Sequence, residues 1–340
     1  MSAQSSKLTQ ALFPILTAAL LATACSDSTA PSTGERPAGP REVQPALAAA
    51  ANCPAGTATP NLAWYNTHFG VGPSIPSTNT TFVSQGLGYW AAKDWLITSL
   101  SEGGTIGSLS LPNRIAVKNR TTGAFIKFLV VEGSDGLPLP GHMGGLSVSA
   151  NNLWISTDAG ANHVVYRIPL IGVATTASSG SVRANRVWNV GASSYNTYYA
   201  TGTGNYLYFG IFNSAPTGGS TMYRYLLSST EDLIAGSRLA IGTPTQVQGV
   251  TVADGHYIFS TSYGRDCYSR LQFKNIATGI YGRTVQMPPM SEGIVRVPLG
   301  AAGWADDRLY VNFESGSLKY QDAVLRTFNF TYAPITTLTP

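Results

Sequence analysis

The residues of this chain best able to do chemistry stand at the start of short apolar segments. Glu292, Gln85 and Gln248 are each directly followed by glycine, and His142 lies two residues before a glycine pair. Carboxyl and imidazole groups are common general acids and bases, so His142 and Glu292 are the candidate catalytic residues if the protein is an enzyme. The two glutamines could orient a ligand, because a carboxamide both donates and accepts hydrogen bonds.

Further candidates for ligand binding lie within the third such segment or after the second strand of a repeat. They are Asp158, Tyr198, Tyr263, Arg265 and Glu314. Glu292 and Glu314 could supply the two carboxylates of a glycosidase, and tyrosines could stack on a sugar. Each of these residues also has a purely structural interpretation. The carboxylates could cap backbone amides, Arg265 could form a surface ion pair with Asp266, and the tyrosines could fill a core.

Motifs of several common catalytic classes do not occur. The sequence has no G-x-S-x-G, no G-x-x-x-x-G-K, no G-x-G-x-x-G and no H-E-x-x-H. Nucleophile-elbow hydrolases, P-loop NTPases, dinucleotide-binding enzymes and zincins are therefore excluded. With four histidines in the chain, a zinc site is not expected and no metal ligand is assigned. No cofactor is indicated with certainty, and Ca²⁺ is left open.

The composition favours many short strands over helices. Charged residues are 11% of the 340, against roughly 25% in an average soluble protein. There are 36 glycines, and hydrophobic residues make up 44%. This excludes coiled coils and helical solenoids rich in Glu and Lys. The net charge of +4 is spread along the chain rather than clustered, so nucleic acid is not expected as a partner.

A sequence repeat of about 50 residues occurs in five copies after residue 80. Its anchor positions are Gly86, Gly145, Tyr199, Gly249 and Gly293. Each anchor opens an apolar strand, a second strand follows about ten residues later, and a third alternates apolar with polar residues. Five such units predict an all-β fold, a five-bladed β-propeller with four-stranded antiparallel blades. Six blades are an alternative, and a β-sandwich would leave the repeat unexplained.

The propeller prediction brings the candidate residues to one place. If the innermost strands start around one end of the axis, then Gln85, His142, Tyr198, Gln248 and Glu292 line that mouth of the channel. Outer strands are predicted at 125–131 and 186–190. For the last blade, 323–328 is the predicted third strand. Its fourth strand would come from 329–332 or, by preference, from the N-terminal segment 61–65, which would close the ring.

The sequence motifs at these anchor positions resemble those of the broad NHL, SMP-30 and YVTN group of β-propellers. The longer motifs at 142–146, 262–265 and 288–294 resemble segments of secreted bacterial propeller lipoproteins of unknown role. The resemblance covers residues 80–320 and implies the propeller fold. SMP-30-type enzymes bind a divalent cation in the channel through a Glu beside a Gly, with Asn and Asp on other blades. Here Glu292 matches that Glu, whereas Gln85 and Gln248 stand on other blades.

The N-terminus is predicted to be a targeting segment. Residues 1–24 carry one lysine and a short apolar run, as in a signal peptide. Small residues before Cys25 resemble a lipobox, which would make Cys25 the lipidated residue and hold the protein on a membrane surface. The alternative is an ordinary signal peptide and secretion. Residues 25–52, rich in Ser, Thr, Pro and Ala, are predicted to be a flexible tether, with one propeller domain over 53–340.

Two cysteines remain if Cys25 is lipidated. In an exported chain Cys53 and Cys267 are predicted to form a disulfide, the alternative being two unrelated thiols. The sequence thus predicts a cell-envelope lipoprotein or a secreted protein, and a monomer. The main functional hypothesis is a propeller that binds a small molecule, glycan or peptide at the channel mouth. The alternative is an extracytoplasmic hydrolase or lyase that acts on carbohydrate or lactone substrates through His142 and Glu292.

Overall fold

The computed structural model describes residues 53–102, 111–159, 162–191, 193–298 and 307–339. The predicted signal peptide, Cys25 and the tether lie outside these residues. The strands are β1 Gly70–Ser74, β2 Phe82–Trp90, β3 Trp95–Glu102, β4 Arg114–Asn119, β5 Phe125–Glu132, β6 His142–Val148, β7 Asn152–Ala159, β8 Asn162–Pro169, β9 Ser181–Arg183, β10 Arg186–Asn189, β11 Tyr195–Thr201, β12 Gly204–Gly210, β13 Gly219–Leu226, β14 Leu239–Pro244, β15 Val247–Ala253, β16 His256–Thr261, β17 Ser269–Asn275, β18 Tyr281–Met287, β19 Ser291–Val297, β20 Arg308–Phe313 and β21 Asn329–Pro334. The helices are α1 Ala63–His68, α2 Leu170–Thr175 and α3 Ile335–Leu338.

These strands form five sheets arranged as blades. In strand order the blades are β2-β3-β4-β5, β6-β7-β8-β10, β11-β12-β13-β14, β15-β16-β17-β18 and β19-β20-β21-β1, and β9 adds a parallel strand to the first. Neighbours within each four-stranded set are antiparallel. The prediction of a five-bladed propeller is confirmed, and the six-bladed and sandwich alternatives are wrong.

Apolar side chains fill the spaces between adjacent blades. Ile97 of the first blade and Ile155 of the second belong to one buried cluster, and Phe259 of the fourth packs in a cluster with Tyr208 of the third. Because each strand alternates its side chains between two faces, every blade buries apolar residues on both sides. The blades therefore support one another, and the innermost strands β2, β6, β11, β15 and β19 converge on the axis.

Glycine is required where the innermost strands touch. A Cβ on Gly86 would lie 2.2 Å from the backbone nitrogen of Leu146, and one on Gly293 would lie 2.4 Å from that of Leu87. Gly145 and Gly249 meet their neighbouring strands in the same way. No larger residue fits so close to a neighbouring backbone. The glycines thus set the spacing of the blades at the axis.

The third blade departs from this pattern, and its predicted anchor is wrong. Tyr195, not Tyr199, occupies the place of the glycine, because the backbone nitrogen of the residue after it, Asn196, faces Gly145, as the nitrogen of Leu146 faces Gly86. The Asn196 side chain donates from Nδ2 to the carbonyl of Gly145 at 2.9 Å and to Ser156 Oγ at 2.8 Å. Since this repeat lacks the glycine, its tyrosines gave a misleading alignment, shifted by four residues.

Four of the five inner strands carry a bulge at the glycine. The pairing register shifts between Ser84 and Leu87 in β2, and at the matching places in β6, β15 and β19. Strand β11, which has Tyr195 instead, pairs with β12 in unbroken register. A bulge re-aims side chains and is frequent beside active sites. Here the bulges contain Gln85, Gln248 and Glu292.

The N-terminal strand closes the ring, although the predicted segment is wrong. Strand β1 pairs antiparallel with β21 as the outer strand of the last blade, whereas residues 61–65 overlap helix α1. The third strand is β21 rather than 323–328. That stretch is held as a loop, since the Arg326 guanidinium donates to the carbonyls of Ser315, Gly316 and Ser317. The predicted outer strands at 125–131 and 186–190 correspond to β5 and β10.

Two further contacts secure the N-terminal part of the propeller. Lys118 of the first blade donates from Nζ to the carbonyl of Ser74 at 2.9 Å and to its hydroxyl at 2.7 Å. Cys53 and Cys267 form the predicted disulfide, with their Cα atoms 5.4 Å apart.

In the part of the chain described, no helix has both the length and the apolar character needed to cross a membrane.

Candidate functional site

A cavity of about 240 Å³ opens at the end of the channel where the inner strands begin. Its lining residues are Gln85, His142, Gly144, Gly145, Ser194, Phe212, Gln248, Glu292, Glu314 and Tyr320. Four of the five residues predicted at this mouth are therefore present, together with Glu314. The bulges explain how, because they turn side chains from separate blades towards the axis.

Glu292 and Glu314 lie in hydrogen-bond contact at the centre of this site. Glu292 is 2% exposed, and its Oε1 has no hydrogen-bond partner among the described residues. Burial and the adjacent Glu314 carboxyl raise the pKa of Glu292 well above its usual range. The two groups repel when both are ionised and attract when they share a proton. Glu292 is consequently the member of the pair that can hold a proton and donate it to Glu314.

Glu314 follows β20 and is the more accessible partner. Burial raises its pKa to about 7, although hydrogen bonds from Gln85 and Tyr320 and the charge of Lys319 act to lower it. The Gln85 amide donates from Nε2 to Glu314 Oε2 at 2.9 Å. The raised pKa of Tyr320, caused by burial and the carboxyl pair, keeps its phenol protonated as a donor.

Gln85 also connects the carboxyl pair to His142. Its Oε1 lies 2.9 Å from His142 Nε2, and a carboxamide oxygen can only accept, so Nε2 of the imidazole donates. Gln85 thereby joins an exposed imidazole at the rim to Glu314 in the interior. This chain fixes the orientation of the Gln85 amide, which in turn fixes the orientation of the Glu314 carboxyl.

Side chains on the second strands hold the bulges in place. Asn312 of β20 donates from Nδ2 to the Gln85 carbonyl at 2.8 Å and accepts from Ser84 Oγ at 2.9 Å. Ser99 of β3 accepts from the Gly86 amide at 2.7 Å. The sequence analysis missed Ser99, Asn312 and Tyr320 as site residues. A polar residue ending the apolar run of the second strand recurs in four repeats and could have revealed the first two.

The predicted mouth position of Tyr198 is wrong. Its hydroxyl donates to Asn205 Oδ1 at 3.0 Å, and its ring lines a different cavity at the other end of the channel. The cause is the misplaced anchor of the third repeat. Ser194 and Phe212 contribute to the mouth from that blade instead.

Two other predicted residues, Arg265 and Tyr263, are not among the described residues that line the cavity. Arg265 donates from Nη1 to both oxygens of Asp322, at 2.8 and 2.7 Å, rather than pairing with Asp266. Its guanidinium carbon lies 5.2 Å from the centre of the Tyr320 ring, so it packs behind a residue that touches Glu314. Tyr263 is 37% exposed. The backbone of Asp158 lies opposite His142 in the β6–β7 ladder.

The donor set does not fit a divalent cation. No group of three or more His, Cys, Asp or Glu is placed to hold a metal ion among the residues that the structure describes. The Asn312 side chain is occupied by Ser84 and the Gln85 carbonyl. The cation site that the resemblance to SMP-30-type enzymes implies is therefore not formed by these residues.

The arrangement can supply one acid and one base to the same small molecule. In glycosidases the two carboxyls stand about 5 to 9.5 Å apart on either side of the bond that breaks. Glu292 and Glu314 are in direct contact instead. Two carboxyls that share one proton can activate water and protonate an oxygen of the substrate at once.

No family model and no curated protein matches this sequence. Solved structures of other five-bladed propellers are similar in fold. The GH43_1 enzyme from Xanthomonas citri in complex with xylose is 12% identical, with 77% of this chain and 90% of that chain covered and a TM-score of 0.44. An exo-β-1,3-galactanase from Phanerochaete chrysosporium is 12% identical, with 78% and 63% covered and a TM-score of 0.48. Glutaminyl cyclase from Myxococcus xanthus is 11% identical, with 78% and 96% covered and a TM-score of 0.46. At these identities the likeness concerns the arrangement of strands alone.

Proposed function

We propose that this propeller is an extracytoplasmic hydrolase that opens a lactone of a small neutral carbohydrate, with Glu292 as general acid and Glu314 as general base. The observation that carries the proposal is the contact between the Glu292 and Glu314 carboxyls on a cavity of about 240 Å³ that opens at the channel mouth. Pockets for drug-sized ligands span roughly 300 to 1,000 Å³, so this cavity suits a substrate of about one sugar ring.

Contact between the carboxyls favours a lactone over a glycoside. Inverting and retaining glycosidases need room for a sugar ring or a water molecule between their carboxyls. Addition of water to a carbonyl needs the base and the acid on neighbouring sides of one carbon. A carboxyl pair that shares a proton meets that need.

The reaction then proceeds in two proton-balanced steps. The Glu314 carboxylate takes a proton from water as the water oxygen bonds to the carbonyl carbon, and Glu292 gives its proton to the carbonyl oxygen. The neutral adduct collapses as Glu292 takes that proton back and the ring C–O bond breaks. Glu314 protonates the departing alkoxide oxygen. The product is a hydroxy acid, and the carboxyl pair returns to its starting state.

Gln85 acts as a positioning residue and His142 as a rim residue in this scheme. Gln85 holds the base through its 2.9 Å hydrogen bond to Glu314. His142, exposed beside the opening, would contact the sugar hydroxyls. Gln248 contributes a second carboxamide to the lining.

The extracytoplasmic location is part of the proposal. The Cys53–Cys267 disulfide supports an oxidising compartment. The signal peptide, the lipidation of Cys25 and attachment to the membrane surface remain predictions from the sequence.

The test is a titration of acid released from small neutral lactones such as D-glucono-δ-lactone, with a buffer blank and with and without Ca²⁺. We expect Glu292→Gln and Glu314→Gln to lose about 10²- to 10⁴-fold in kcat. Glu132→Gln, which replaces a carboxyl ion-paired with Arg183 on an outer strand, is the matched control and keeps its activity.

Two outcomes would contradict the hydrolase. One is no lactone opening above the blank by the wild type, and the other is full activity in Glu314→Gln. Binding of a small ligand or glycan without turnover, the main hypothesis from the sequence, uses the same cavity. This binding hypothesis predicts that the protein releases no acid from the lactone. It also predicts that the sugar stabilises the folded protein by roughly 2.7 kcal/mol at 100 times the dissociation constant.

A further inference from the structure

A second cavity, of about 410 Å³, lies at the opposite end of the channel, where the inner strands finish. Between the two cavities the inner strands approach so closely at Gly86, Gly145, Asn196, Gly249 and Gly293 that no space for a water molecule remains. A ligand in one cavity therefore cannot reach the other. The second cavity needs its own explanation, independent of the carboxyl pair.

Hydroxyl side chains from three successive blades line this cavity. They are Ser147 of β6, Thr197 of β11 and Thr251 of β15, with exposed fractions of 5%, 5% and 3%. The Ser147 hydroxyl has no hydrogen-bond partner among the described residues. Buried polar groups are normally paired, so a group like this indicates a partner that is not part of the protein chain. Leu87 and Val295 complete the lining with aliphatic surface.

Half-buried aromatic rings form the wall of the same cavity. They are Tyr89, Trp90, Tyr198 and Tyr199. Three of them are braced from behind. The hydroxyls of Tyr89 and Tyr198 bond to Asp94 and Asn205, at 3.1 and 3.0 Å, and Trp95 packs edge-on against Trp90 at 5.4 Å. Braced rings offer flat apolar surface at little cost in conformational entropy.

Charge at this cavity is already compensated. Among the described lining residues the charged side chain is Arg296, which pairs with Asp307 at 2.5 Å. No described carboxylate lines the cavity, so it lacks the acid and base present at the other end. The ligand should accordingly be uncharged, and it should be bound rather than turned over.

We propose that this second cavity binds a neutral saccharide of one or two rings. A sugar combines C–H faces, which stack on aromatic rings, with hydroxyls, which pair with buried serine and threonine side chains. The volume of about 410 Å³ falls within the usual range for ligand pockets. The protein then holds sugar at one mouth of its channel without any dependence on the chemistry at the other.

The test is calorimetric titration of the mature protein with neutral disaccharides, maltose, cellobiose and lactose, and with glucose. We expect saturable binding of at least one of them. Ser147→Ala and the double variant Thr197→Val, Thr251→Val should weaken that binding by about tenfold, as expected for one or two lost hydrogen bonds. Loss of the Ser147 hydroxyl should leave the melting temperature unchanged or higher, because that group is unpaired in the protein.

Two controls separate this cavity from folding defects and from the other mouth. Thr98→Val removes a buried, unpaired hydroxyl on β3 outside this cavity and should bind sugar normally. Glu292→Gln should also bind normally. The proposal is overturned if none of the sugars binds saturably, in which case the cavity holds water, or if Glu292→Gln abolishes binding while Ser147→Ala does not. Neither outcome depends on lactone hydrolysis.

Discussion

Burial at the axis deprives the Glu292 and Glu314 carboxyls of solvation, and their contact makes double ionisation more costly still. Both carboxyls therefore have raised pKa values in the folded protein, with that of Glu314 at about 7. In the unfolded chain they titrate near 4.5. A raised pKa contributes stability that is fully present below the unfolded value and is lost as the pH rises through the folded value.

The free energy of unfolding of the wild type should thus fall between pH 5 and pH 8. Glu314 accounts for roughly 3 kcal/mol or less of this fall, given its pKa of about 7 and its partial exposure. Glu292→Gln removes the repulsion and should flatten the profile. Urea unfolding at several pH values measures both slopes, with Glu132→Gln as the control. Equal slopes in wild type and Glu292→Gln would contradict the shared proton.

Gln85 should set the acid limb of the pH–rate profile. In the proposed reaction kcat/KM rises as Glu314 loses its proton near pH 7 and falls again at higher pH, where Glu292 loses the proton that it donates. The Gln85 hydrogen bond lowers the pKa of Glu314, so Gln85→Leu should move the acid limb upward by about one unit. Gln248→Leu removes a carboxamide of the same lining and should leave that limb in place. A Gln85→Leu profile that only scales down would mean a purely structural role.

The position of most site residues could be predicted, because the repeated glycine motif identifies where the inner strands bend. Gln85, Gln248 and Glu292 share that register, His142 lies two residues further towards the start of its strand, and Glu314 follows a second strand. Tyr320 could not be predicted, since it lies in a turn of one blade that has no counterpart in the repeat. Contact between Glu292 and Glu314 was equally hidden, because it depends on the register between β19 and β20, in which Ser291 lies opposite Phe313.

At the scale of strands, the bulges depend on glycine. Gly293→Ala places a Cβ about 2.4 Å from a backbone nitrogen, so β19 and β2 must separate. We expect a loss of at least about 3 kcal/mol in unfolding free energy, at the upper end for overpacking. Chemical denaturation measures it.

Gly172→Ala is the matched control, because nothing lies within 4 Å of a Cβ at that position in α2. It should change stability by less than about 1 kcal/mol, in the stabilising direction, since alanine favours a helix. Equal effects at Gly172 and Gly293 would show that the blades can move apart freely.

Strand prediction failed where another interaction replaced the repeating one. In the third blade Tyr195 stands where the other repeats have glycine, and Asn196 beside it bonds to the second blade, so the repeat has no glycine to detect. In the last blade, apolar and polar residues alternate along 323–328 as they would in a strand. Arg326 nevertheless bonds to a turn, and β21 takes its place in the sheet. Tertiary contacts overrode the local pattern in both cases.

For the whole molecule, the disulfide ties residue 53 to residue 267 across a separation of 214 residues. Chain-entropy models assign about 5 kcal/mol to a closure of this length, less any strain. We expect the Cys53→Ser, Cys267→Ser double variant to melt several degrees lower while keeping the pH dependence of the carboxyl pair. Thermal melting at pH 5 and pH 8 tests both parts. An unchanged melting temperature would contradict a stabilising bridge.

Attachment to a membrane should depend on Cys25. If that residue is lipidated, Cys25→Ser moves the protein from the membrane fraction to the soluble extracytoplasmic fraction and abolishes incorporation of labelled palmitate. Ser26→Ala, a neighbouring change of similar size, is the control. A Cys25→Ser protein that still sediments with membranes would contradict the lipobox interpretation.

The number of blades could be predicted because each repeat needs its neighbours to bury both faces. The segment that closes the ring could not, since β1 is short and contains a proline and two glycines. Its pairing partner β21 lies more than 250 residues away, as the register of Gly70 with Tyr332 shows. A closure between chain ends leaves almost no local signal.

That closure dictates an order of events during biosynthesis. Strand β1 is among the first parts of the propeller to leave the ribosome, but its partner β21 is among the last. Until translation is nearly finished, the earlier blades can assemble only as an open arc with an unpaired edge, which invites aggregation. A chain built this way gains from being kept extended until its final residues arrive, so completion of the ring should be a late, slow step in maturation.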